Sequence, residues 1–279
     1  MSHLESLLIN IYHGVEKVRK IIVNHILRLF KSLFKKIGYD LSKIEKYNLD
    51  KNFPELSNFE KKLFHDVSGL TMTGPDRIFA LMKSIEFIQK NNIKGDFIEC
   101  GVWRGGNLII FQKYIDKFKL KKKIYAYDTF KGMPEPETVD KTFDEKKAKQ
   151  LLNNLIKKKI NKKDNILFAY SSKKDVIQNF KIKTLSNNLK CIEGKVEDTL
   201  KIKKNLPKKI AILRLDTDWY RSTKIELEKL YPLVQKNGII IIDDYGYWKG
   251  ARKAVDEFFK KKNVVIFKID FTGRMIIKK

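Results

Sequence analysis

Five apolar runs in this chain end in carboxylates. "DFIECG" carries Glu99, "KIYAYD" ends at Asp128, "LKCIEG" carries Glu193, "IAILRLD" ends at Asp216, and "GIIIIDD" ends at Asp243 and Asp244. One acid at such a place is unremarkable. Five on one rim repel one another unless cations or hydroxyl donors lie between them. Asp216, Asp243 and Asp244 offer only oxygen, with no histidine or cysteine among them. Such a set suits Mg²⁺, Mn²⁺ or Ca²⁺ rather than zinc. Any one of the three can instead cap the helix or turn that follows it, but that reading is strained for all three together. The four histidines, His3, His13, His25 and His65, all precede these runs. Base chemistry therefore falls to a carboxylate, or to a metal that acidifies a bound hydroxyl.

The first run leads into "ECGVWRGGN", where Gly101, Gly105 and Gly106 permit a tight turn before a helix. This is not the dinucleotide fingerprint, and no Lys-Ser pair of a phosphate loop follows. Asp128, at the end of the next run, is placed to accept hydrogen bonds from a ribose diol. A diol acceptor without a phosphate grip fits an adenosine that lacks phosphates, which points to S-adenosylmethionine (SAM).

Elements of a particular kind must bring these residues together. Helical spacing covers Ile78 to Ile88, Gly105 to Lys119, 175–185, 222–234 and Gly250 to Phe259, and these segments alternate with the apolar runs. "VVIFKID" and "RMIIKK" add two closing strands, paired as a hairpin about Phe271–Gly273. Seven strands, most of them nearly continuous in apolar character, predict an α/β fold with a mainly parallel sheet covered by helices on both faces. In such sheets ligands bind beyond the carboxyl ends of the strands, where the acids stand. Tyr245, Tyr247 and Trp248 either wall that site or pack the helix that follows. The segment 132–163 reads as polar and helix-rich.

The chain has 279 residues, with 59 Lys and Arg against 33 Asp and Glu, a formal net charge of +26. No basic block with interleaved aromatics stands out, so a nucleic-acid partner is not expected. Cys100 and Cys191, each in a strand-like run, read as buried free thiols of a reducing, cytoplasmic setting. No apolar run is long enough to span a membrane. Residues 4–37 form an amphipathic helical pattern with Lys17, Arg19, Lys20, Arg28, Lys31, Lys35 and Lys36 on its polar face. Such a helix can lie at the inner face of an anionic membrane, pack on the domain, or pair with a second copy in a homodimer. Residues 1–70 are thus expected to be a helical extension and arm, and residues 71–279 the sheet-forming domain.

Six blocks, "LTMTGPDRI", "GDFIECGVWRGGN", "YDTFKGMPEPE", "IEGKVEDTL", "LRLDTDWYRSTKIELEKLYP" and "IIIIDDYGYWKGARKAVDEFF", resemble in order those of the macrocin O-methyltransferase family. The resemblance covers roughly residues 68 to 260. It implies a Rossmann-like methyltransferase fold and SAM- and Mg²⁺-dependent methylation of a sugar hydroxyl. It implies a turn from Glu99 through Gly101 and Gly105 to Asn107 that cradles the methionine end of SAM. It puts Asp128 on the ribose, and Gly194, Val196 and Asp198 around the adenine. Asp216, Asp243 and Asp244 become metal ligands, with Asp216 also the base. Residues 137–190 are the expected lid and acceptor-shaping segment, so the acceptor itself is left open: glycan, nucleotide sugar or glycoside, with the basic surface leaning toward an anionic one. A catechol-type metal-dependent O-methyltransferase and a non-catalytic membrane-associated protein that kept the fold are the two rival readings.

Overall fold

The computed structural model describes residues 48–157 and 168–279. The chain divides into two compact units, Met1–Leu56 and Ser57–Lys279. Of the first, the described part holds a short helix, α1 (Leu49–Asn52), capped by the Asn48 side chain. The amphipathic pattern of residues 4–37 lies outside the described residues.

The second unit carries a seven-stranded sheet. In chain order its strands are β1 (Asp96–Cys100), β2 (Ile124–Asp128), β3 (Leu189–Glu193), β4 (Ile210–Leu215), β5 (Val234–Ile242), β6 (Phe267–Lys268) and β7 (Arg274–Ile277). They lie side by side as β3-β2-β1-β4-β5-β7-β6. The first five pair in parallel, and β7 runs antiparallel against β5 and β6. The order reverses at β1, so β1 and β4 meet at the switch point where α/β sheets bind ligands.

Burial on both faces explains the apolar character of the central strands β1, β4 and the end of β5. Ile98 and Cys100 pair with Leu213 and Leu215, which pair in turn with Ile240 and Ile242. These side chains share one core with Leu227 and Leu230 of α8 (Tyr220–Leu230) and Val255 and Phe259 of α9 (Lys249–Phe259). The opposite face carries Phe97, Glu99, Ile212 and Arg214 and is covered by α3 (Pro75–Lys90) and α4 (Gly106–Lys117). Phe97 stacks there on Phe111 of α4 at 4.9 Å.

α2 (Asn58–Val67) is a capped amphipathic helix that packs on α4 and belongs to this same unit. Ser57 starts it with a capping box: its backbone N–H donates to Glu60 at 2.8 Å. Residues 132–147 are not helical; a helix appears only at α5 (Ala148–Lys157). Short bridges pair Lys141 with Lys147 and Thr142 with Trp248, so this stretch is pinned to the start of α9. Its charged composition mimicked a helix, whereas Met133-Pro134 and Pro136 favour a loop. Among the described residues the remaining α-helices are α6 (Lys173–Thr184) and the single turn α7 (Val196–Thr199). Cys100 is buried and Cys191 half-buried, and both are free. Among the described residues no helix is long and apolar enough to cross a membrane.

Candidate active site

The carboxyl ends of β1, β2, β4 and β5 open into one cavity of about 740 Å³. Of the residues singled out from the sequence, Gly101, Asp128, Gly194, Val196, Asp216, Asp243 and Asp244 line it. Glu99, Gly105, Asn107 and Asp198 do not.

Gly101 closes β1 with a φ of +77°, and a Cβ there would overlap the backbone oxygen of Asp216. Only glycine lets the ends of β1 and β4 come this close. Asp128 is stitched into the same turn. Its Oδ2 accepts from the N–H groups of Val102 at 2.8 Å and Trp103 at 3.3 Å, and its Oδ1 from Phe130 at 2.7 Å. Burial pushes its carboxyl pKa up against these donors. Trp103 holds a φ of +45°, a strained value for a bulky residue, and lines the cavity.

Beyond β3 the cavity wall is Gly194, Lys195, Val196 and Glu197. Asp198 turns to solvent beside Lys201. Its neighbour Glu197 takes the inward position, with Oε2 buried and without a hydrogen-bond partner. Gly105 caps α4 and abuts Val176.

The other end of the cavity is acidic. One oxygen from each of Asp216, Asp243 and Asp244 lies within 4.8 Å of the others. Sequence reasoning missed the two arginines among them. Arg214, 1 % exposed, donates through Nη1 to Asp216 at 2.7 Å and to Glu99 at 2.6 Å, and through Nη2 to Asp243 and to Thr73 at 2.7 Å. Arg77 of α3 joins the second oxygen of Asp243 to Asp270, at 2.9 Å from the latter. The signal for Arg214 was a lone charge in an otherwise apolar strand. Glu99 is therefore turned away from the cavity, toward Arg214 and the Nδ2 of Asn107, and Asn107 is buried with it.

Asp218 was missed as well. It sits at φ +67°, donates its N–H to Asp244 at 3.1 Å, and accepts from Trp248 Nε1 at 2.6 Å. Burial raises its carboxyl pKa to about 8, helped by the charge of Asp216. Burial likewise lifts Asp244 well above the carboxylate range and Asp243 to about 6, the latter held down by Arg214. Asp216, Asp218, Asp243 and Asp244 thus stand about two guanidiniums that also serve Glu99 and Asp270, and the surplus negative charge is relieved only by protons or a cation. The hard oxygen donors fit a divalent cation.

The three aromatic residues after β5 divide. Tyr247 and Trp248 line the cavity. Tyr245 instead donates to Asp256 and lies under Arg252 and Arg274. Trp219, Trp248 and Tyr247 stack edge to face, and Phe143 extends this wall to Phe271 at 5.0 Å. Among the described residues no histidine lines the cavity.

A mainly parallel sheet in the order β3-β2-β1-β4-β5-β7-β6, with a cavity at its β1/β4 switch point, is a Rossmann-like α/β fold. The structure of the O-methyltransferase NovP shares this fold, with a TM-score of 0.63 and 28% identity over 75% of this chain and 82% of that one. The calicheamicin methyltransferase CalS11 shares the fold at 14% identity, with a TM-score of 0.54 over 85% of this chain and 99% of that one. The Macrocin-O-methyltransferase (TylF) family matches residues 5–278, and the chain belongs to that family of SAM-dependent O-methyltransferases. Among its relatives, demethyldecarbamoylnovobiocin O-methyltransferase of Streptomyces niveus is 29% identical over 70% of this chain and 69% of its own length. Mycinamicin III 3''-O-methyltransferase of Micromonospora griseorubida is 27% identical over 73% of this chain and 76% of its own length.

Proposed function

We propose that this enzyme methylates a sugar hydroxyl with a divalent cation held by Asp216, Asp243 and Asp244. The observation that carries the reading is the meeting of those three carboxylates in the same cavity as the glycine turn at Gly101. The relatives support the acceptor class: a further one from Streptomyces olivaceus, 28% identical over 73% of both chains, is named as the 4'-O-methyltransferase of a rhamnosyl-tetracenomycin.

When bound, the cation lowers the pKa of a hydroxyl and SAM supplies an electrophilic methyl. The chain's own residues do the rest. Gly101, Asp128 and the wall from Gly194 to Glu197 form the cofactor end. Asp216 is the most accessible of the triad and uses Oδ2 for Arg214, so Oδ1 is left to take the hydroxyl proton. Arg77 and Arg214 fix both oxygens of Asp243. Trp219, Trp248 and Met133 exclude water from the flank.

The acceptor end is aromatic, with Phe143 and Tyr247 in tilted contact at 5.7 Å. Among the described residues the cations lining the cavity are Arg77, Lys146 and Lys195. Arg77 is tied to two aspartates, Lys146 pairs with Asp144 at 2.8 Å, and Lys195 stands at the cofactor end. This distribution supports a neutral sugar with an apolar neighbour over the anionic acceptor suggested by overall charge. The test is transfer of labelled methyl from SAM to a panel of neutral glycosides and nucleotide sugars, with Mg²⁺ or with a chelator. Transfer confined to the Mg²⁺ arm and to neutral glycosides is expected; transfer undiminished by chelator removes the cation from the account.

A further inference from the structure

Glu99 stands in the sheet directly opposite Arg214. Both are 1 % exposed, in the middle of a parallel sheet. An ion pair in such a place costs on the order of several kcal/mol in lost hydration for each ion, and hydrophobic residues would fill the space at least as well. The pair also reaches beyond itself. Arg214 spends its other Nη hydrogens on Asp216, Asp243 and Thr73. Thr73 Oγ1 in turn accepts from Asn107 Nδ2 at 2.9 Å, and the same nitrogen donates to Glu99 Oε1 at 2.9 Å. The loop before α3, the first turn of α4, β1 and β4 therefore converge on one guanidinium. That guanidinium holds two of the three carboxylates of the proposed cation site.

We propose that Glu99 and Thr73 are positioning residues for the cation site, acting through Arg214, and that Glu99 makes no contact with the cofactor. The inference rests on the cation-binding reading above. Glu99 anchors Nη1 and Thr73 anchors Nη2, so the fork is held in one orientation. Asp216 and Asp243 are then presented side by side before any cation arrives. Outer groups that orient metal ligands typically change affinity by about 10–100-fold when lost. Removing the charge of Glu99 also leaves Arg214 to neutralise Asp216 and Asp243 more completely, which weakens their pull on a cation.

The experiment is calorimetric titration of two ligands into the full chain: S-adenosylhomocysteine without cation, and Mg²⁺ into protein saturated with S-adenosylhomocysteine. Wild type, Glu99→Gln, Thr73→Val and Thr73→Ser are compared, each checked for folding by its thermal midpoint. The expected result is Mg²⁺ affinity about tenfold weaker in Glu99→Gln and Thr73→Val, restored in Thr73→Ser, with S-adenosylhomocysteine affinity unchanged throughout. Thr73→Val alters no charge, so its loss reports orientation; it also stands in should Glu99→Gln not fold. Weaker S-adenosylhomocysteine binding in Glu99→Gln, with or without a change in Mg²⁺, would make Glu99 a cofactor contact and overturn the proposal. Unchanged affinity for both ligands would leave the network a structural element only and overturn it equally. A wild-type chain that binds no Mg²⁺ would overturn the cation site itself, and this inference with it.

Discussion

Glu99 and Arg214 face each other across adjacent parallel strands, and their side chains meet at 2.6 Å out of reach of water. This pair explains how so many acids can end neighbouring strands. One of them has turned inward to hold an arginine, and the arginine holds two others. Repulsion at the rim is thereby reduced but not abolished, and what is left over favours a cation.

Asp243→Asn is expected to lower Mg²⁺-dependent methyl transfer on the order of a hundredfold, through loss of a ligand and of the anchor for Arg77 and Arg214. Turnover measured across a Mg²⁺ series checks this. Wild-type turnover in the variant would remove Asp243 from the site.

The cation should stabilise the fold more at high pH than at low. Burial raises Glu99 to about 7, Asp243 to about 6 and Asp218 to about 8. Folded pKa values above the unfolded ones mean that the cation-free folded state binds extra protons between about pH 4 and pH 8, so its stability falls as pH rises through that window. Mg²⁺ replaces those protons. Thermal scans at pH 5 and pH 8 should show a larger Mg²⁺-induced rise at pH 8; equal rises contradict the charge balance drawn here.

Ser57→Ala tests the clamp that joins α2 to the domain. Glu60 is buried, which raises its carboxyl pKa, yet bonds from Lys83 and Ser57 outweigh this and hold it at about 2. A depressed carboxylate stabilises above its unfolded pKa, and that contribution fades as pH falls from about 4.5 toward 2. Losing the cap should cost about 1 kcal/mol at neutral pH and less at pH 3. Denaturant melts at the two pH values measure the difference.

Phe143→Ala should raise the acceptor KM roughly fivefold, the effect of about 1 kcal/mol of lost aromatic contact. Phe143 is half exposed beside Phe271 and Tyr247. Affinity for S-adenosylhomocysteine should not move. A variant that loses cofactor binding instead would relocate this wall to the cofactor end.

The strand pattern was legible because burial on both faces fills β4 and the second half of β5 with Ile and Leu, broken in β4 only by Ala211 and Arg214. Asp216, Asp243 and Asp244 were legible for the same reason: a charge just past a buried strand stands out. Glu99 misled because strand ends read from sequence carry no side-chain direction. It lies one position short of Cys100, and the pleat turns it to the face covered by α3 and α4. Arg77, Thr73 and Asn107 come from segments far apart in sequence, and only the fold brings them to Arg214. Asp218 was hidden by its backbone, since a left-handed residue within "DTDW" breaks the alternation that would have placed it. Residues 132–147 show the limit of composition, because loop and surface helix share the same charged residues.

The most direct measurement is calorimetric titration of S-adenosylmethionine and S-adenosylhomocysteine into the full chain, with and without Mg²⁺. Micromolar binding of both is expected, together with a separate Mg²⁺ isotherm that disappears in the Asp243→Asn variant. No binding of either nucleoside under both conditions would contradict the enzyme reading at its root.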